Sequence, residues 1–494
     1  MLPFAKTHED YQRFVLDKLQ YYYSEGGLTL LARDWPIMTK CWITDLSSTI
    51  DLVEPTYGKR GPRGTDPACL LRSYLVMLLT HPTSSIDKWV DELRRVPLYA
   101  IISGFEPGCT PGVGTFYDFF RRLWNLETPN VRKHQQRKKR KPKKGKKKGD
   151  KAPTTSPGKV KRLLKRFMRF GSSRKSQPFD KLFDLFQSQF LTFSAKLGLL
   201  GDLDHLNIAG DGTPIVTSVY SRSRSLCDCR AQGLRECDHP RFYSQPDCDF
   251  GWDSAREKYF SGYHLYQFTA SDSQYDLPLF PRLHPASRHD AISFAVSFVE
   301  FSQRSTLGTV DKVILDAAHD AGAIYDFLIH HHHEPIIDLN SRTNASVKKG
   351  DIEISSKGIP ICPAGLEMKS NGFDQARYRH KWRCPLASGT KISCENPCST
   401  AKYGRTFYTN SKDNPRLFPK IARNTEQWKK IFNTRTSVER TNKREKIDYH
   451  LEAGNHRSSM LWYIRIYGIM MCQHMDAWYL HLKDEFDIKK IIFG

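Results

Sequence analysis

The chain has 494 residues, of which 39% are apolar and 12% aromatic. That is enough to bury sizeable cores, which excludes wholesale disorder and low-complexity fibre. No stretch reaches the roughly 18 apolar residues of a membrane-spanning helix, and Met1 to Tyr21 lacks the apolar centre of a secretory signal. Lys and Arg number 76 against 53 Asp and Glu, a net charge of +23. A chain this basic is expected to meet a polyanion, either nucleic acid or an anionic membrane surface.

Residues 1–130 read as helical. The Asp66–His81 segment is an amphipathic helix with Pro67 in its first turn. Ser84 or Ser85 caps a second helix, Ile86 to Arg95, and Thr115 caps a third that runs to Trp124. Such helices suit a DNA-binding module or an ordinary helical domain equally well. The charge then concentrates. The 44 residues from Arg132 to Lys175 hold 21 Lys and Arg against one acid, Asp150, a net of +20 that leaves only +3 for the remainder. Before Val160 this block has almost no apolar residues and is expected to be disordered when free. Lys138, Lys139, Arg140 and Lys141 at its centre are candidate phosphate contacts, and a solubilising linker is the plainer alternative. Val160, Leu163, Leu164, Phe167 and Met168 recur at helical spacing and predict a short basic amphipathic helix over 159–170.

From 179 to 200 the pattern predicts another helix. Strands follow over 206–216, 263–271 and 277–284, then a helix over 291–301, a strand over 310–320, a helix over 321–330 and a strand over 335–339. The order β-β-β-α-β-α-β argues an α/β protein with helices on a mixed sheet. A polar stretch, 341–423, interrupts it, and a helical region starts near Thr425.

Three acids stand out by location. Asp211 and Asp316 lie at the ends of apolar strands, and Glu439 lies in the last helical region. A carboxylate at the rim of a sheet needs a cation, a donor or a metal. Three such acids can share two divalent ions, and carboxylates suit Mg²⁺. Each acid taken singly could instead be a capping or salt-bridged residue, and Asp320 is a rival for the role of Asp316. Arg435, Glu439 and Lys446, spaced four and seven apart, fall on one helical face. This places an acid between two bases.

At these residues the chain resembles the DDE transposases of prokaryotic insertion sequences. Their helix signature runs Tyr-x2-Arg-x3-Glu-x6-Lys, and Phe432 stands here where Tyr is usual. The resemblance implies an RNase H-like mixed sheet with flanking helices, preceded by an all-helical N-terminal domain and interrupted by insertions. It divides the chain into a helical domain that binds DNA ends (1–130), a basic linker with a short helix (131–178), the first part of the catalytic domain (179–340, with a Cys-rich loop over 221–262), an insertion (341–423) and a C-terminal helical part of the catalytic domain (424–494). By the same resemblance, Asp211, Asp316 and Glu439 are catalytic and hold two Mg²⁺ ions, for which Mn²⁺ can substitute, and Arg435 and Lys446 contact DNA. Double-stranded DNA, as element ends and as target, is the implied partner of a homodimer. The implied location is the cytoplasm with the nucleoid, with no membrane. The enzyme would cut at its element's terminal inverted repeats and join the freed 3′-OH ends to target DNA. A catalytically idle DNA-binding derivative and an RNase H-like nuclease without strand transfer are the alternatives.

There are twelve cysteines. Cys227, Cys229 and Cys237 with His239 form one cluster, of a kind that suits tetrahedral structural zinc in a loop without a core. Cys362, Cys384, Cys394 and Cys398 form a second candidate. Free thiols are the alternative for both. His330 to His333 read as an exposed helix end.

Overall fold

A computed structural model describes residues 1–124, 131–133, 158–217, 224–340 (without 226, 230, 235, 236, 238, 243, 244 and 246), 347–387 and 394–493 (without 396). The candidate contacts Lys138, Lys139, Arg140 and Lys141 lie outside the described residues.

Helices α1 (His8–Ser24), α2 (Asp34–Ile43), α3 (Thr49–Val53), α4 (Pro67–Thr80), α5 (Ile86–Arg95), α6 (Pro97–Ser103) and α7 (Val113–Leu123) form the N-terminal layer. Side-chain caps explain two of the starts. Asp66 accepts from the Ala68 amide ahead of α4, and Ser85 accepts from the Lys88 amide ahead of α5. Thr115 does not cap α7, which begins two residues earlier behind Gly112 without a side-chain cap. After strand β1 (Val131–Lys133) comes α8 (Lys159–Phe170), the expected basic amphipathic helix. Its Leu164 is fully buried, and the helix packs on α11 (Asp290–Arg304) and α12 (Gly322–His330). The 179–200 region is α9 (Asp180–Phe186) and α10 (Thr192–Lys196), joined by a π-helical turn.

The central sheet is built from β2 (Leu206–Val216), β5 (Asp249–Asp253), β6 (Lys258–Ala270), β7 (Pro278–Pro285), β8 (Val310–Leu315) and β9 (Glu334–Ile337). Between β2 and β5, short strands β3 (Arg224–Ser225) and β4 (Pro240–Phe242) form a separate sheet with β1, in the order β1-β4-β3. In the central sheet β6 is antiparallel to β2 along one edge, and β5 and β7 share its other edge. Strands β2, β8 and β9 run parallel. The protein is therefore mixed α/β. Each expected strand is present, although the one read over 310–320 ends at Leu315, where Asp316 caps a 3-10 turn, Ala317–His319; β3, β4 and β5 lie inside the segment read as Cys-rich loop.

Strand alternation decides what each face meets. From β6, Tyr266 and Phe268 pack on Phe294 of α11. On the opposite face, Gln267 meets the C-terminal helices. Those are α13 (Glu426–Asn433), α14 (Thr436–Lys443), α15 (Ser459–Leu482) and α16 (Ile488–Phe493). The insertion holds β10 (Val347–Lys349), β11 (Ile352–Ile354), β12 (Pro360–Ile361), β13 (Lys369–Asp374), β14 (Arg379–Arg383) and β15 (Thr406–Asn410), paired as two three-stranded sheets. They close around their own core of Ile352, Ile359, Cys362, Met368, Trp382 and Ala422. The N-terminal layer and the central sheet, by contrast, share one continuous core. Helix α15 packs on α2, α4 and β7, and a Cβ on its Gly468 would stand 2.7 Å from Leu78 and 2.8 Å from Tyr74 of α4. Among the described residues, no helix is long and apolar enough to cross a membrane.

Candidate active site

Asp211 sits in the middle of β2, opposite Gln267 of β6 in register. Gly210 and Gly212 flank it and point to the α11 face, where both sites are too crowded for a side chain. A Cβ at Gly212 would lie 2.2 Å from His264 Nε2 and 2.6 Å from Asp290 Oδ1, and one at Gly210 would lie 2.9 Å from the Tyr266 hydroxyl. The sequence Gly-Asp-Gly therefore lets the sheet close tightly behind an acid that faces the other way.

Asp316 follows the last residue of β8, the strand parallel to β2. Its Oδ1 accepts from the Ala318 amide at 3.1 Å and from His319 Nδ1 at 2.5 Å. Because the carboxylate can only accept, His319 Nδ1 carries the proton, and Nε2 accepts from the Tyr266 hydroxyl at 2.9 Å. Burial, the largest single influence, would raise the Asp316 carboxyl, but the hydrogen bond and charge of His319 and the Ala318 amide together hold the group below the usual carboxylate range. Asp211 has weaker support, from a backbone hydrogen bond at Gly212 and the charge of His319. Burial, and after it the charge of Asp316, push its carboxyl up to about 6. The structure thus brings Asp211 and Asp316 into electrostatic contact. A third acid, Asp290 at the start of α11, acts on both. It lies 2.7 Å from His264 Nε2; burial, the largest single influence, would raise its carboxyl, but His264 together with His319 and His289 lowers it. Asp290, His264 and His319 were missed in the sequence. The available signals were a histidine one turn after a strand-end acid and the two glycines around Asp211.

Asp320, the rival of Asp316, is fully buried and engaged elsewhere. Arg416 Nε donates to its Oδ1 at 2.7 Å.

Glu439 lies on α14, which packs across β2 and β6. Its side chain is 48% exposed, and Arg435 Nη2 donates to it at 2.7 Å. The helix is not regular through the whole signature. Arg435 is the residue before α14, and Lys446 falls in a π-helical turn, Arg444–Asp448. That turn aims Glu445 inward. Gln267 Nε2 donates to it, as does Gln473 Nε2 at 3.3 Å, and burial pushes its carboxyl up to about 8. Lys446 instead lines a cleft of about 450 Å³ with Gly212, Trp252, Arg256, Arg288 and Asp290. Burial lowers its ammonium pKa, and Glu452 Oε1 lies 4.0 Å away. Phe432, at the position usual for Tyr, stacks on Trp428 with ring centroids 4.6 Å apart. On the hairpin bordering the cleft, Trp252 and Tyr259 form an exposed edge-to-face pair at 4.9 Å.

The first cysteine cluster converges. The ligand atoms of Cys227, Cys229, Cys237 and His239 all lie within 4.8 Å of one another, so the four side chains could bind a metal such as zinc. Of the second cluster, Cys362 is buried in the insertion core, while Cys384, Cys394 and Cys398 line a separate cleft. Among the described residues these four form no metal group. The histidine run is the expected helix end: α12 closes at His330, and His330, His331 and His332 are exposed. His333 Nδ1 lies 2.8 Å from the Val310 carbonyl.

No protein-family model matches this sequence, and none of the curated proteins compared with it matches.

Proposed function

We propose that the protein is a DNA transposase of the DDE type with an RNase H-like catalytic domain. The observation that carries this reading is the pairing of Asp211 with Asp316. The two acids come from adjacent parallel strands, and burial together with the charge of Asp316 pushes Asp211 up to about 6. Hard oxygen donors in mutual repulsion fit Mg²⁺. The strand order third-second-first-fourth-fifth, disregarding β5, and a helix laid across the first and second strands support the fold assignment.

In this reading Asp211, Asp316 and Glu439 would hold the ions, which would supply activation of the attacking oxygen and neutralisation of the leaving one. Arg435, now paired with Glu439, and Lys446, in the cleft beside Gly212, hold phosphates on either side. Water attacks the phosphorus at the element end, and the bond to the 3′ oxygen breaks, leaving a 3′-OH. That hydroxyl then attacks a phosphorus of target DNA, forming one P–O bond as another breaks. The exposed Trp252 and Tyr259 offer faces on which bases at the cut can stack. Work on DNA locates the protein with the nucleoid in the cytoplasm, acting as a homodimer on paired ends.

Asp211→Ala, Asp316→Ala and Glu439→Ala should each abolish Mg²⁺-dependent cleavage of DNA carrying the element's ends, with binding in a gel-shift assay retained. Full cleavage by all three variants would sink the proposal. Pre-cut ends distinguish a transposase, which joins them to target, from a nuclease, which does not.

A further inference from the structure

The cysteine cluster lies beyond the end of a small sheet. Strands β3 and β4 pair Arg224 with Phe242 and Ser225 with Arg241. Past that pairing the chain turns at Cys227–Cys229, and the ligand atoms of Cys227, Cys229, Cys237 and His239 converge, all within 4.8 Å of one another. Cys227 Sγ is 3.5 Å from Cys237 Sγ, and Cys229 Sγ is 3.2 Å from His239 Nδ1. A disulfide needs about 2.05 Å, whereas tetrahedral zinc with ligands at about 2.0–2.3 Å separates them by roughly 3.5–3.8 Å. Leu234 at the tip of the loop is 55% exposed, and the turn closes through the Leu234 amide to the Cys229 carbonyl.

Strand β4, which begins directly after His239, also pairs along its other edge with β1, aligning Val131 with Phe242 and Lys133 with Pro240. Strand β1 is the start of the basic segment. The far end of that segment is already docked, because α8 packs on α11 and α12, and Arg304 Nη2 donates to the Lys175 carbonyl at 2.7 Å.

We infer that Cys227, Cys229, Cys237 and His239 bind one Zn²⁺, and that this zinc holds β4 in place as the strand on which the near end of the basic segment docks. The three thiols lose their protons on binding. Zinc thereby fixes where the +20 segment leaves the fold. This inference does not rest on strand cleavage, and its test uses no DNA.

Full-length protein prepared with zinc should contain about one Zn²⁺ per chain, and Co²⁺ in its place should give the visible absorption of a tetrahedral thiolate site. Cys237→Ser and His239→Ala should lose the metal, while Cys237→His, which keeps a ligand, should retain it. Removing zinc from the wild-type protein with a chelator should raise amide hydrogen exchange at least tenfold across 131–133 and at Arg241 and Phe242, with the 206–216 strand unchanged. A protein without zinc, or one whose exchange at 131–133 is unaltered after zinc is removed, would overturn the inference.

Discussion

Asp211 on β2 and Gln267 on β6 face each other in register, and Glu445 reaches in to accept from Gln267. The sheet therefore carries two buried carboxyls as near neighbours, both raised, Asp211 to about 6 and Glu445 to about 8. Their surroundings differ. Glu445 is sealed and receives two amide donors, so its proton completes a closed polar cluster. Asp211 lies in the field of Asp316 and Asp290, so its carboxyl stays under repulsion until a cation enters. Burial alone does not mark a site; a buried acid left with a like charge does.

The comparison can be broken by substitution, and the largest effect belongs to Asp211. Asp211→Asn should lower Mg²⁺-dependent cleavage by on the order of 10³-fold or more, because several kcal/mol of charge stabilisation goes with the carboxylate. It should nevertheless stabilise the fold by about 1 to 2 kcal/mol at pH 7, since each unit of pKa shift is about 1.4 kcal/mol. A variant both inactive and destabilised in urea would contradict the repulsion. The raised carboxyl also sets a pH window. Its contribution to stability is fully present below about pH 4 and is lost as pH rises through about 6. Mg²⁺ should therefore raise the melting temperature above pH 6 and lose that effect below it, which differential scanning fluorimetry reads directly.

Glu445→Ala comes next. It empties a buried site and orphans two amides, at about 2 to 4 kcal/mol measured by chemical denaturation. Gly212→Ala should cost about 1 to 3 kcal/mol and reduce cleavage as well, because the new Cβ must displace His264 and Asp290. Glu445→Gln is the smallest change. At pH 7 it should lie within about 0.5 kcal/mol of wild type. The contribution of wild-type Glu445 is full below about pH 4.3 and is lost as pH rises through 8, so the glutamine variant should be the more stable protein at pH 9. A variant that tracks wild type through that range would show Glu445 to be ionised already.

Much of the layout was legible because it is written locally. An apolar run bounded by polar turns fixed β2 at Leu206–Val216, Ser85 fixed the start of α5, and alternating Lys and Arg with Leu and Phe fixed α8. Asp316 was legible as a strand-end acid; Asp211, read the same way, lies instead in the middle of β2, because the strand continues through Gly212 to Val216 in register with β6. Strand β5 was not, because Phe250 and Trp252 alternate toward solvent inside a polar loop and mimic no buried pattern. The π turn at Arg444 was hidden as well. Its cause is a long-range demand, that Glu445 meet Gln267 and Gln473, which no helical spacing encodes. Asp290 and His264 were invisible for the same reason, since only the pairing of β2 with β6 and the start of α11 brings them to Gly212.

Helix α15 completes the layer that α2 and α4 begin, through Gly468 against Tyr74 and Leu78. On a ribosome adding about 5–20 residues per second, on the order of 20 to 80 s separates the emergence of α4 from that of α15. Throughout that interval the apolar flank of α4 is synthesised without its partner. The nascent chain is therefore a natural client for a chaperone that shields exposed leucine and tyrosine, and a transcript cut short ahead of Ser459 would yield a product destined for proteolysis.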